Sequence, residues 1–199
     1  MTTPGESEGP FRILIVCTAN ICRSPMAEHL LRMALDQDSR IEVTSAGTRG
    51  FDNAPMDPPA AAQLRRLGGD PTGFRSRPLT DQMCELADLI LTATRAHRSA
   101  VLERVPRALR RTFTLPEFAA AISTIRREQP DATDLADLVR LAGFARGRID
   151  VENYDVADPY GGPVETHRAV ADTIRAAAQT IAQHLLPPHA PSTAITQIE

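Results

Sequence analysis

Two kinds of apolar pattern alternate along this chain. Compact runs at Arg12–Val16, Ile41–Ser45, Asp88–Thr92 and Arg111–Leu115 are rich in aliphatic and β-branched residues and predict strands. Stretches with an apolar residue every third or fourth position predict helices over Met26–Leu35, Pro58–Leu67, Arg95–Glu103 and Val164–Leu186. The last of these places Val170, Ile174, Ala177, Ala178, Ile181 and Leu185 on one face. Alternation of this kind implies an α/β fold: an open four-stranded parallel sheet with helices on both faces. Two more helical stretches, Pro116–Arg127 and Ala132–Ala145, are separated by the break Gln129–Pro130–Asp131. They predict an inserted helical hairpin (residues 116–146) near the rim of the site, either a surface addition or a lid that selects substrates.

Composition narrows the class. At 199 residues the chain can bury a substantial core, and with no Trp and few aromatics that core is aliphatic. The net charge of −3 and scattered arginines give no reason to expect nucleic acid or an anionic membrane as a partner. No run has the length of a transmembrane segment, and the polar N-terminus lacks a signal-peptide pattern, so a cytoplasmic location is expected, with secretion lacking a signal peptide left open. Three cysteines, two of them close together, suit a reducing compartment better than a disulfide framework. The turn-rich residues 1–10 and the Pro-rich residues 187–199 are expected to be flexible tails around a domain spanning 11–186.

Chemistry concentrates where the first strand ends. The strand delivers Cys17, Arg23 follows, and Ser24–Pro25 opens a helix. A loop between a strand end and a helix N-terminus turns backbone N–H groups toward an oxyanion, and the helix start adds positive potential. The same field favours the thiolate of Cys17, and Arg23 offers a planar fork for two phosphate oxygens. In open parallel sheets, ligands bind beyond the carboxyl ends of the strands, which is where Cys17 falls. A Cys and an Arg at this spacing are a weak signal alone; the preceding strand and the following Ser–Pro helix make it specific. The plain rival is a buried strand-end cysteine with an unrelated surface arginine.

Taken together, Val16–Cys17–Thr18–Ala19–Asn20–Ile21–Cys22–Arg23–Ser24–Pro25–Met26–Ala27–Glu28 resembles the opening of the low-molecular-weight protein tyrosine phosphatases. Ser45–Ala46–Gly47–Thr48, Asp57–Pro58–Pro59–Ala60, Arg75–Ser76–Arg77–Pro78–Leu79 and Val156–Ala157–Asp158–Pro159–Tyr160–Gly161 continue the likeness in order. The resemblance implies a phosphate-binding loop after the first strand, with Cys17 as nucleophile, Arg23 as phosphate ligand and Asp158 as general acid. Thr18, Ala19, Asn20, Ile21, Cys22 and Ser24 form the rest of the substrate cradle; Asn20 braces the loop and Ser24 donates to the Cys17 sulfur. Phe51 and Tyr160 become the walls of an aromatic slot. No cofactor and no metal is implied. The implied substrate is a phosphotyrosine-containing protein, with a tyrosine kinase of polysaccharide export as a candidate partner.

Three rival roles stay in view. Asp158–Pro159 also suits an ordinary turn. An arsenate reductase using an external thiol has a similar nucleophile, whereas a version with paired resolving cysteines lacks them, since only Cys84 lies near the third strand. A catalytically silent phosphate-binding adaptor does not need Asp158. Cys17 and Cys22 are close enough in sequence for a reversible disulfide, and the five histidines read as surface or helix-end residues with no metal-ligand spacing. Ala19 stands where the family most often has glycine, so its φ must be negative.

Overall fold

In a computed structural model, which describes residues 9–36, 38–130 and 134–186, the sheet has four parallel strands. They are β1 (Phe11–Cys17), β2 (Ile41–Gly47), β3 (Leu89–Thr92) and β4 (Thr112–Thr114), in the order β2-β1-β3-β4. β1 pairs with β2 from Phe11↔Ile41 to Cys17↔Gly47, and with β3 from Ile13↔Leu89 to Val16↔Thr92. As a central strand, β1 is buried on both faces from Ile13 onward, which is why Ile13–Cys17 is an unbroken apolar run.

The pleat divides the core in two. Ile13, Ile15 and Cys17 face the larger apolar cluster with Leu89, Leu91 and Phe113, while Leu14 and Val16 face a smaller one with Ile90 and Val101. Helices α1 (Arg23–Ala34), α2 (Pro58–Arg66), α5 (Leu115–Glu128), α6 (Leu135–Ala145) and α7 (Val164–Leu185) contribute to the larger cluster. Helices α3 (Asp81–Leu86) and α4 (Arg95–Arg104) supply Cys84 and Val101 to the smaller one. Helices thus cover both faces.

Local sequence sets the helix ends. Thr94 caps α4 by accepting from His97 N, and Thr114 and Glu117 form a reciprocal capping box at α5. Prolines occupy the first turn of α1, α2 and α5, where a missing N–H costs nothing. Short elements escape a periodicity reading: the six-residue α3 and the 3₁₀ turns Pro106–Arg111 and Arg146–Arg148. Residues 1–8 and 187–199, most of the expected tails, lie outside the described residues, as do 131–133, the end of the expected break and the start of the second helical stretch.

The segment expected as an added hairpin near the site rim is placed differently. Phe118, Ala121, Ile122 and Ile125 of α5 are fully buried in the larger cluster, packed against α7. Leu138, Val139 and Ala142 of α6 extend the same core. The helical spacing was itself a core face, so α5 is an integral layer rather than a surface addition. Among the described residues, no helix is long and apolar enough to cross a membrane.

Candidate active site

The residues after β1 form a closed loop held from outside. Its carbonyls turn outward: Thr48 N donates to Cys17 O at 2.9 Å, Arg49 N to Thr18 O at 2.9 Å, Phe51 N to Ala19 O at 3.3 Å and Asp57 N to Ile21 O at 2.9 Å. Outward carbonyls aim the alternate face of each peptide, with its N–H, toward the loop interior. Asn20 is the pivot, with φ of 57°, a left-handed conformation that asparagine tolerates. Ala19 has no positive φ, so its methyl is accommodated as the sequence requires.

Beneath the loop runs a buried polar chain. Asn20 Nδ2 donates to Ser24 Oγ and Ser45 Oγ, both at 2.8 Å, and its Oδ1 accepts from Arg77 N at 2.9 Å. Ser45 Oγ donates to Glu28 Oε2 at 2.5 Å, and Glu28 is paired with Arg32 at 2.9 Å. Ser24 Oγ lies 3.0 Å from Cys17 Sγ. Gly47 is obligatory here, since a Cβ would sit 2.6 Å from Thr18 O and 2.7 Å from Gly50 Cα.

Above the loop lies a cavity of about 220 Å³ lined by Cys17, Thr18, Ala19, Ile21, Cys22, Arg23, Phe51, Asp158 and Tyr160. Phe51 and Tyr160 are more than half exposed and stand at its mouth. Arg23 is buried; its Nη2 is 2.9 Å from Asp158 Oδ2, its Nη1 donates to Val156 O at 3.3 Å, and its Nε is buried with no hydrogen-bond partner. Asp158 is half exposed and its Oδ1 accepts from Tyr160 N at 3.3 Å. A larger cavity of about 670 Å³ runs along β2 and contains none of these groups.

The expected site residues therefore meet, with two differences of placement. Asn20 and Ser24 do not line the cavity; both are fully buried below the loop, where they act as its scaffold. No residue of 116–146 lines it either. His97 and His167 lie in the first turns of α4 and α7, a helix-end placement as expected, but both are buried rather than at the surface. His97 Nε2 lies 2.8 Å from Thr18 Oγ1, a contact between residues far apart in sequence that no local spacing announces. Burial, then Arg23, pushes the His97 imidazole down to about 4, with Asp158 and Asp155 opposing. The Cys22 thiol is pushed up strongly, first by burial and then by Asp57, which gives it a different character from a nucleophile. The three cysteines are free and buried.

A cysteine at a strand end, a loop whose carbonyls turn outward and an arginine with an unsatisfied buried N–H are groups suited to holding an oxyanion beside a thiol. Residues 12–137 match the family model described as low molecular weight phosphotyrosine protein phosphatase. The chain is 31% identical over 176 residues to a protein-arginine-phosphatase of Geobacillus stearothermophilus, covering 88% of this chain and 97% of that one. It is 39% identical over 106 residues to the low molecular weight protein-tyrosine-phosphatase Etp of Escherichia coli, covering 53% and 70% of the two chains. Among solved structures, the YwlE arginine phosphatase from Geobacillus stearothermophilus superposes with a TM-score of 0.67 at 32% identity, over 88% of this chain and 93% of that one. The chain belongs to the low molecular weight phosphotyrosine protein phosphatase family, whose members are cysteine-dependent phosphatases.

Proposed function

We propose that this enzyme hydrolyses phosphotyrosine in proteins through a phosphocysteine on Cys17. The observation that carries it is the cavity itself: a mostly apolar pocket whose lining brings Phe51 and Tyr160 together with Cys17, Arg23 and Asp158. A phenyl ring is flat and uncharged, so aromatic walls hold it without a polar partner. The Cys17 sulfur attacks phosphorus in line, forming S–P while the bond to the phenolic oxygen breaks. Arg23 and the loop amides hold the equatorial oxygens as charge gathers on them. The Asp158 carboxyl, on the rim above Arg23, protonates the departing oxygen. Its carboxylate then takes a proton from the water that attacks phosphorus, and S–P breaks to release inorganic phosphate.

A second substrate is suggested by a specific observation: two relatives matched over nearly their whole length are named protein-arginine-phosphatase. Phosphoarginine would bring a guanidino group into the slot. Asp158 is the one carboxylate among its lining residues, and it is already engaged by Arg23, so the lining favours the aromatic ester. The three free thiols suit a reducing compartment, consistent with work in the cytoplasm, and a tyrosine kinase of polysaccharide export is a candidate protein substrate.

The test is turnover of a phosphotyrosine peptide and para-nitrophenyl phosphate by wild type, Cys17→Ser and Asp158→Ala, with arsenate reduction measured alongside. Turnover abolished by Cys17→Ser and reduced by about 10²–10⁴ by Asp158→Ala on the peptide is expected. Thiol-dependent arsenate reduction without ester hydrolysis would make it a reductase, and silence in every assay would leave a binding module.

A further inference from the structure

We propose that His97 is a positioning residue for the phosphate-binding loop, acting through Thr18. Its ring is buried between two hydroxyls: Nε2 lies 2.8 Å from Thr18 Oγ1 and Nδ1 lies 2.8 Å from Thr94 Oγ1. Thr94 Oγ1 also accepts from His97 N at 3.3 Å, so the helix cap and the ring share one anchor. A hydroxyl can donate or accept, and either neutral tautomer therefore keeps both contacts and holds Thr18 in the same place. Thr18 directly follows the nucleophile and lines the cavity, and its carbonyl is fixed by Arg49 N. With both ends of Thr18 tethered, the peptides on either side of it are fixed against rotation.

Residues 93–95, just ahead of His97, also hold the segment that leads to Asp158. Ala93 N donates to Val16 O at 2.9 Å, and Ala93 O accepts from Val156 N at 2.8 Å. Arg95 N donates to Asp155 Oδ1 at 2.7 Å. Val156 O in turn receives Arg23 Nη1. One turn at the start of α4 thus joins the end of β1, the cradle through His97, and the segment leading to Asp158. A buried histidine serving only to fill space would not need a hydroxyl of the cradle on one nitrogen and its own helix cap on the other.

The proposal rests on the phosphatase function of the cradle, and its test separates the two. Inorganic phosphate binding by calorimetry, together with kcat and KM on para-nitrophenyl phosphate, is measured for wild type, His97→Ala, Thr18→Val, the double variant and His97→Gln. Losing the His97–Thr18 contact should weaken phosphate binding and lower kcat/KM by about ten-fold in each single variant. The double variant should be no worse than the poorer single, because both remove one interaction. His97→Gln, whose amide spans a similar length, should recover most of the loss. Thr18→Val carries the test if His97→Ala does not fold. Single variants within about two-fold of wild type in phosphate affinity and kcat/KM, with only the melting temperature lowered, would overturn the proposal, as would additive losses. Wild type that binds phosphate but turns nothing over would defeat the phosphatase function instead, while the calorimetric comparison still decides the role of His97.

Discussion

Acid should destabilise this protein partly through His97, and the size of that effect follows from its surroundings. The imidazole is 7% exposed, and burial with Arg23 nearby lowers it from the ordinary 6.5 to about 4. A folded-state value below the unfolded one means that the unfolded chain binds the proton more tightly, so stability is fully present above pH 6.5 and is lost as pH falls toward 4. The full difference, at 1.36 kcal/mol per pH unit, corresponds to about 3 kcal/mol, of which about 2 kcal/mol is lost between pH 7 and pH 5. His97→Gln removes this titration while leaving those of His29 and His184, also lowered by burial, in both proteins. Urea unfolding at pH 7 and pH 5 measures the difference. Wild type should lose about 2 kcal/mol more than His97→Gln over that interval. Losses equal to within about 0.5 kcal/mol in the two proteins would refute the assignment of a buried neutral imidazole.

Other expectations follow from the same geometry. Gly47→Ala would drive a methyl into Thr18 O and Gly50 Cα, so phosphate affinity measured by calorimetry should fall by at least about ten-fold, more than the melting temperature alone would suggest. Glu117 is buried between Arg98 at 3.1 Å and Arg146 at 2.8 Å, and Glu117→Ala leaves both without their carboxylate; chemical denaturation should show a loss of about 3–5 kcal/mol. Brief iodoacetamide treatment at pH 7 followed by peptide mapping should leave Cys22 and Cys84 unmodified, because burial raises the first strongly and the second up to about 11. Rapid labelling of either in the folded protein would contradict their buried, protonated state.

Much of this fold is legible because sheet and helix impose periods that the chain obeys. β1 reads as a strand from the apolar run Ile13–Cys17, and Cys17 falls on its last residue because burial continues to the point where the loop begins. The cradle is legible for a related reason: its cysteine, its arginine and the helix start all fall within residues 17–25. Its support is not. Arg77 reaches Asn20 from 57 residues away, and His97 reaches Thr18 from 79, so no window of sequence contains either pair. A histidine three residues after a capping threonine looks like a helix-end residue until tertiary packing supplies its second partner. The helices at 115–128 and 135–145 show the converse: their apolar period is legible, but periodicity gives a buried face without saying what covers it, and here that face joins the main core.

The choice between the aromatic ester and the guanidino phosphate is tested most directly by two peptides of one sequence, one carrying phosphotyrosine and the other phosphoarginine at the same position. With wild-type enzyme, kcat/KM for phosphotyrosine should exceed that for phosphoarginine by at least about ten-fold, because the pocket lined by Phe51 and Tyr160 offers apolar walls and a single, already engaged carboxylate. A preference of the same size for phosphoarginine would contradict the account and place this chain's substrate with that of its Geobacillus relative.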